Sequence, residues 1–125
     1  MNLTFGICTT LDDPSRLENV INSIQKLNAI GSEIIIAGPN SGAWITHKKN
    51  IIAKAAQTDV IVILHDYYLF DKCWYEAYEQ FGYDWDVCSN PQFLMDGKRH
   101  FTDWVLWDHP YNRRYTSVEY TNYNL

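Results

Sequence analysis

The fold is decided by the stretch DVIVILHD, residues 59–66. Its five central residues are all apolar, and four of them are β-branched, which predicts a strand covered on both faces, as in a parallel sheet. The strand ends abruptly at the polar pair His65-Asp66. A sheet covered on both faces needs helices on each side, so this stretch predicts an α/β fold.

The sequence upstream predicts two more strands with a helix between them. Residues 3–8 and 33–37 are short and apolar, and we expect them to be strands. Asp13 supplies an N-cap acceptor and Pro14 suits the first helical position, so a helix is expected to begin there and to end near Gly31. Three- and four-residue spacing predicts one buried stripe on this helix: Leu17, Val20, Ile21, Ile24 and Leu27.

Further elements are predicted on both sides of the 59–64 strand. Residues 44–57 are expected to form a helix, and Asp71 is expected to cap another that carries Trp74 and Tyr78. Residues 84–88 are interpreted as a fourth strand. Together with the elements upstream, these form an alternating pattern that is typical of a mostly parallel sheet.

The last third of the chain has a different character. Asp96-Gly97 lies between two apolar runs and predicts a β-hairpin over residues 93–106, in a turn whose two central residues both take positive φ. Residues 108–125 are rich in Tyr, Asn and Arg without a clear period, and are interpreted as an aromatic arm.

Length and composition limit the classes of function. The chain has 125 residues, of which 46% are apolar, and we expect a single domain over residues 1–125 with an α/β core at 1–90 and the hairpin and arm at 91–125. A net charge of −5 argues against nucleic acid as a partner. No apolar run approaches the roughly 20 residues of a membrane span and no secretion signal is evident, so a cytoplasmic protein is predicted.

The carboxyl ends of the predicted strands are where a ligand is expected. Ligands of open α/β sheets bind at this edge, which is followed here by residues 9–13, 38–42 and 65–68. Neither G-x-G-x-x-G nor G-x-x-x-x-G-K-S/T occurs, which disfavours the two common phosphate-binding loops. The ligand must therefore be held by other residues.

Asp66 is the first candidate for this task. A carboxylate at a strand end can hold Mg²⁺ together with substrate phosphates, although it can equally cap the next loop. His65 is interpreted as a second metal ligand, as a hydrogen-bond donor to a phosphate, or as a hydrogen-bonded structural residue. Of Lys48 and Lys49 at most one can face a ligand, because adjacent helical residues point apart. Asn50 is expected to be partly buried and hydrogen-bonded.

The order of these parts resembles the nucleotide-binding half of GT-A-fold glycosyltransferases, the group that includes glycosyltransferase family two. The resemblance covers roughly residues 3–90. The matching stretches are GICTT at 6–10, INSI at 21–24, EIIIAG at 33–38, KNIIAKA at 49–55 and VILHDYY at 62–68. Residues 81–88 and 97–104 are similar to a subgroup of bacterial surface-polysaccharide transferases. The expected fold is thus a three-layer, GT-A-like (Rossmann-like) nucleotide-binding domain.

The resemblance implies a site for a nucleoside-diphosphate sugar, most naturally a UDP-sugar. Thr9 and Thr10 would border the base and ribose, Lys49 and Asn50 would lie near the base or diphosphate, and Asp66 would hold Mn²⁺ or Mg²⁺. The complete implied set is Thr9, Thr10, Gly38, Lys49, Asn50, His65 and Asp66. The acceptor would be a saccharide that the sequence does not identify.

The chain departs from that pattern in three ways. Gly38-Pro39 replaces the usual acidic pair after the second strand, and Asp66-Tyr67-Tyr68 keeps only the first acid of D-x-D. The usual acceptor half is missing, which leaves Asp103 or Asp108 as the candidate general base, with Asp103 preferred. The flanking tryptophans suit sugar binding, but equally a core or a subunit contact.

Half of a GT-A sheet would expose strand edges, so a homo-oligomer is expected. Three functions follow from the sequence. The first is a sugar-nucleotide-dependent glycosyltransferase. The second is a noncatalytic nucleotide- or carbohydrate-binding module, and the third is an oligomeric scaffold in which Asp66 only caps a loop.

Overall fold

The computed structural model describes residues 2–39, 44–88, 90 and 92–98. The chain divides into two compact units, Met1–Gly82 and Tyr83–Leu125. Within its described residues the first unit contains three strands and three helices in alternation. They are β1 (Leu3–Cys8), α1 (Pro14–Gln25), β2 (Glu33–Ala37), α2 (Ile45–Ala55), β3 (Val60–His65) and α3 (Trp74–Phe81).

The three strands form a parallel sheet in the order β2-β1-β3. All three predicted strands are confirmed. The structure differs in which strand is central: β1 is paired on both sides and buried along its whole length, whereas β3 is an edge strand among the described residues and its Ile63 is 39% exposed. The expectation that β3 is covered on both faces, which was based on the apolar run at 60–64, predicted more burial than the structure shows. Apolar composition does not determine how many neighbouring strands a strand has.

Alternate residues of β1 face two separate cores. On one face, Leu3, Phe5 and Ile7 pack with Val20 and Ile24 of α1 and with Leu64 of β3. Trp74 of α3 packs against the same core. Cys8 faces the other way and packs with Ala37 and with Ile52 of α2. Helices therefore cover both faces of the sheet, which confirms an α/β architecture compatible with a Rossmann-like fold.

Gly6 determines how closely α2 approaches the sheet. A Cβ atom built at Gly6 would overlap the side chain of Ile52, which is completely buried. Only glycine leaves room for that side chain, so the position is required for packing rather than for backbone freedom.

Helix α1 begins as predicted. Asp13 is the N-cap, its Oδ1 accepts a 3.1 Å hydrogen bond from the Ser15 amide, and Pro14 stands at the first helical position. The helix ends earlier than Gly31. The chain leaves it after Gln25 and takes left-handed backbone at Asn28 and again at Gly31, where φ is 80°.

The other two predicted helices are also confirmed. Trp44 is the N-cap of α2, so the helix begins one residue later than predicted and ends at Ala55. Asp71 accepts a 2.8 Å hydrogen bond from the Cys73 amide, but it is not the predicted N-cap, because α3 begins at Trp74 and its N-cap is Cys73, without a side-chain capping bond. None of the helices in the described ranges is long and apolar enough to cross a bilayer.

In the second unit the strand predicted over residues 84–88 is wrong. These residues form no regular element, and Val87 is exposed. A short run that contains two acids has too little apolar surface to order a strand by itself.

The turn at Asp96-Gly97 is present, with a different geometry from that predicted. Gly97 donates to the Leu94 carbonyl at 2.8 Å and has a φ of 85°, whereas Asp96 does not take positive φ. Asp96 instead accepts the Lys98 amide at 2.9 Å. The rest of the predicted hairpin and the arm at 108–125 lie outside the described residues.

Candidate functional site

The sheet topology creates a crevice between β1 and β3. Helix α1 leaves β1 on one face and α2 crosses to β3 on the other, so the loops after β1 and β3 diverge at their carboxyl ends. A cleft of about 330 Å³ lies at this point. Its polar lining includes Thr9, Thr10, Arg16, Lys48, His65 and Asp66.

Thr9 and Asp66 join the two strand ends. Because Cys8 pairs with His65 in the sheet, the next residues of both strands are neighbours. The Thr9 hydroxyl donates to Asp66 Oδ2 at 2.8 Å, and both residues are buried, with 3% and 5% exposure. The same hydroxyl oxygen accepts the Leu11 amide at 3.0 Å. Asp66 is thus held in one orientation at the base of the cleft.

Arg16, from the first turn of α1, lies near three carboxylates, of which Asp13 is the most distant, with its Oδ2 4.0 Å from the Arg16 Nε. Its guanidinium lies 2.6 Å from Asp12 Oδ1 and 3.7 Å from Asp66 Oδ2. Thr10 donates to the same Asp12 oxygen at 2.9 Å. The Thr10 hydroxyl and then the Arg16 guanidinium lower the pKa of Asp12 below its usual value, so this acid is ionised in the fold.

Lys48 is a buried cation. It is 4% exposed, and its Nζ donates a 2.8 Å hydrogen bond to the Thr9 carbonyl. Within the described ranges the ion pairs of this region are made by Arg16, and none involves Lys48. A positive charge therefore lines the cleft without a carboxylate partner from this part of the chain.

His65 and Tyr67 form an aromatic wall. Their rings are parallel to within 5°, with centroids 5.4 Å apart. Burial is the main cause that lowers the pKa of His65, followed by the positive charge of Lys49, while Asp66 opposes both. The imidazole is therefore neutral at pH 7. Burial also raises the pKa of the neighbouring Cys8 thiol, which keeps it protonated.

The structure brings together four of the residues proposed from the sequence. Thr9, Thr10, His65 and Asp66 all line the cleft. Gly38 is half-buried beside Leu11 and does not line it. Asp103, the candidate base, lies outside the described residues.

Lys49 and Asn50 are exposed, and neither lines the cleft. The expected partial burial of Asn50 is therefore wrong. It follows Lys49 on the outer side of α2, whereas the side that packs on the sheet carries Lys48 and Ile52. The inference that at most one of the adjacent lysines faces the cleft is confirmed, and that residue is Lys48.

The sequence did not decide between Lys48 and Lys49, and no role was predicted for Arg16, Asp12 or Tyr67. The signal for Lys48 was present, because it precedes the buried Ile52 by four residues and so shares its helical face. The pairing of Asp12 with Arg16 also had a signal, since the two opposite charges are four residues apart at the start of α1.

The residues around Asp66 suit a resident divalent cation poorly. No group of three or more His, Cys, Asp or Glu side chains within the described ranges is placed to hold a metal ion. Asp66 Oδ2 already accepts the Thr9 hydroxyl and faces Arg16, which leaves Oδ1 as the oxygen open to a ligand. Mg²⁺ or Mn²⁺ at Asp66 stays a prediction, and this donor set does not fit it well.

No protein-family model matches the chain, and no curated protein or solved structure matches it at a significant level.

Proposed function

We propose that the protein binds a nucleoside-diphosphate sugar in the cleft between β1 and β3, and that it acts as a GT-A-like glycosyltransferase on a saccharide acceptor. The observation that carries the proposal is the Thr9–Asp66 hydrogen bond at the carboxyl ends of two parallel strands. It places a fixed carboxylate at the point of an α/β sheet where ligands commonly bind.

The chemistry of the cleft supports the same class of ligand. Lys48 and Arg16 supply positive charge for phosphates, Thr10 supplies a hydroxyl, and Tyr67 exposes an aromatic face. A volume of about 330 Å³ is at the lower end of the usual range for ligand pockets, about 300–1,000 Å³. A ligand with anionic, polar and flat ring portions would contact each of these groups.

A noncatalytic binding module is the second candidate, and one observation favours it. Both carboxylates that line the described cleft, Asp12 and Asp66, contact Arg16. A general base needs an oxygen that can accept the proton of the acceptor hydroxyl, whereas Asp12 Oδ1 accepts from Thr10 and Arg16 and Asp66 Oδ2 accepts the Thr9 hydroxyl. Catalysis by this chain would therefore depend on a carboxylate beyond the described cleft, for which Asp103 is our candidate.

Isothermal titration calorimetry with UDP- and GDP-sugars, with and without Mn²⁺, tests the binding proposal. Asp66→Asn should weaken binding at least about tenfold, because it removes the carboxylate charge that positions Arg16 and the Thr9 loop. Asp59→Asn is the matched control, since Asp59 is an exposed acid just before the opposite end of the same strand. Equal affinity in the wild type and the Asp66 variant would contradict the proposal.

Turnover distinguishes the two candidates. Release of nucleoside diphosphate from a bound donor, lost in Asp103→Asn with binding retained, is expected of a transferase. Tight binding without release of the nucleoside diphosphate, whichever acceptor is added, supports the binding module.

Sedimentation of the full chain tests the predicted homo-oligomer, and cell fractionation tests its predicted cytoplasmic location.

A further inference from the structure

The ammonium of Lys48 is buried, and among the described residues it has a hydrogen bond but no carboxylate partner. Transferring an ammonium group from water into a protein interior is costly unless it is paired. Lys48 is 4% exposed, and its partner is a neutral carbonyl, that of Thr9, at 2.8 Å. An ammonium group has three N–H donors, and the hydrogen bonds among the described residues use one of them.

The position of this charge is determined by the fold. Lys48 shares the packed face of α2 with Ile52, whose side chain fills the space above Gly6. The bond from Nζ to the Thr9 carbonyl holds the ammonium at the residue whose hydroxyl binds Asp66. The ammonium is therefore oriented before any ligand arrives, which lowers the entropic cost of binding an anion.

Arg16 brings a second positive charge to the same cleft. Its guanidinium lies 3.7 Å from Asp66 Oδ2. Its Nε is buried and has no hydrogen-bond partner among the described residues. Asp12 and Asp13 also pair with Arg16 and offset part of its charge, so the ammonium of Lys48 is the main charge that would attract an anion and repel a divalent cation at Asp66.

We infer that Lys48, assisted by Arg16, binds the phosphate groups of the ligand directly, so that the cleft accepts a diphosphate without a divalent cation. This inference rests on the proposed function for the identity of the ligand. It replaces the metal expected at Asp66 with cationic side chains of the chain itself. Asp66 then positions Arg16 and the Thr9 loop.

The test uses inorganic pyrophosphate and UDP as probes of the full chain in buffer that contains EDTA. Titration calorimetry should show binding of both probes to the wild type. Lys48→Met keeps the length of the side chain and removes the charge, and should weaken binding of pyrophosphate at least about tenfold. Lys49→Met removes the same charge from the exposed neighbour and should change affinity less than about threefold.

Three further measurements keep the test decisive if Lys48→Met is destabilised. Circular dichroism and urea unfolding establish that each variant is folded under the titration conditions. In the wild type, the ¹⁵Nζ resonance of Lys48 should shift when pyrophosphate is added, and that of Lys49 should not. Lys48→Arg, which keeps the charge, should recover part of the affinity that Lys48→Met loses.

The outcomes separate this inference from the proposed function. Binding of UDP only with Mn²⁺ and equally well in Lys48→Met would overturn the inference and leave the proposed function standing. Metal-free binding of pyrophosphate that depends on Lys48, without binding of any nucleotide sugar, would support the anion site and overturn the proposed function. Equal weakening by Lys48→Met and Lys49→Met would overturn the inference, because diffuse charge would then explain the affinity.

Discussion

The Thr9 hydroxyl donates a 2.8 Å hydrogen bond to Asp66 Oδ2, and this bond links the carboxyl ends of β1 and β3. The parallel register aligns Cys8 with His65, and the residues that follow each of them therefore meet. Fifty-seven positions separate the two residues along the chain, so the bond forms only when the sheet has assembled. It is both a structural link and the base of the candidate site.

Loss of this hydrogen bond should destabilise the fold. Thr9→Val keeps the shape of the side chain but leaves a buried carboxylate without its donor, and we expect the free energy of unfolding to fall by about 2 kcal/mol. Thr10→Val is the control, because that hydroxyl is exposed and a change there should cost less than about 0.5 kcal/mol. Urea unfolding followed by circular dichroism measures both. Equal stability of Thr9→Val and the wild type would show that the bond contributes nothing.

The close approach of α2 to the sheet leads to a second prediction. Gly6→Ala places a methyl group against Ile52, and overpacking of this kind should lower the free energy of unfolding by about 1–3 kcal/mol. At Gly38, by contrast, a Cβ would come no closer than 3.9 Å to Leu11, so Gly38→Ala should be nearly neutral. Gly6→Ala combined with Ile52→Ala should be less destabilised than the sum of the single variants, because the smaller side chain makes room. Additive losses would contradict this packing argument.

Local signals in the sequence were sufficient to predict the elements of the first unit. Asp13-Pro14 marks the start of α1, and the apolar run at 60–64 marks β3, because caps and runs depend on neighbouring residues alone. The sequence also predicted at which edge of the sheet the site lies, because the carboxyl ends of parallel strands meet at one edge.

The features that were not predicted depend on tertiary structure. Local composition favoured β3 as the covered strand, yet β1 is central because both other strands pair with it. The resemblance favoured Lys49 and Asn50, but the packing of Ile52 turns Lys48 toward the sheet. The meeting of Arg16 with Asp66 depends on the path of the loop after β1, which no spacing rule provides.

His65 should make the stability of the fold sensitive to mild acid. Burial lowers its pKa in the folded state below the ordinary value of 6.5, so the unfolded chain takes up this proton first as the pH falls. The contribution of the neutral imidazole is therefore fully present above pH 6.5 and is lost as the pH falls through the folded pKa. His65→Phe keeps a ring against Tyr67 and should remove this part of the pH dependence.

Proton NMR titration of the imidazole and urea unfolding at pH 7.5 and 5.5 test this prediction. His47→Gln is the control, because His47 is an exposed histidine on α2. A midpoint for His65 at or above 6.5, or an unchanged pH dependence in His65→Phe, would contradict the argument from burial.

Tyr67 should contribute to binding of the ring portion of the ligand and not of its phosphates. Its side chain is 58% exposed at the cleft, and its ring lies parallel to that of His65, which restricts its motion. Stacking of a base on an aromatic side chain contributes about 1–3 kcal/mol, so Tyr67→Ala should weaken binding of UDP about tenfold while pyrophosphate binds as before. Tyr67→Phe keeps the ring and should retain affinity for both probes. If Tyr67→Ala weakened binding of pyrophosphate and UDP equally, the tyrosine would be supporting the shape of the cleft rather than contacting a ring, because only the nucleotide carries a base.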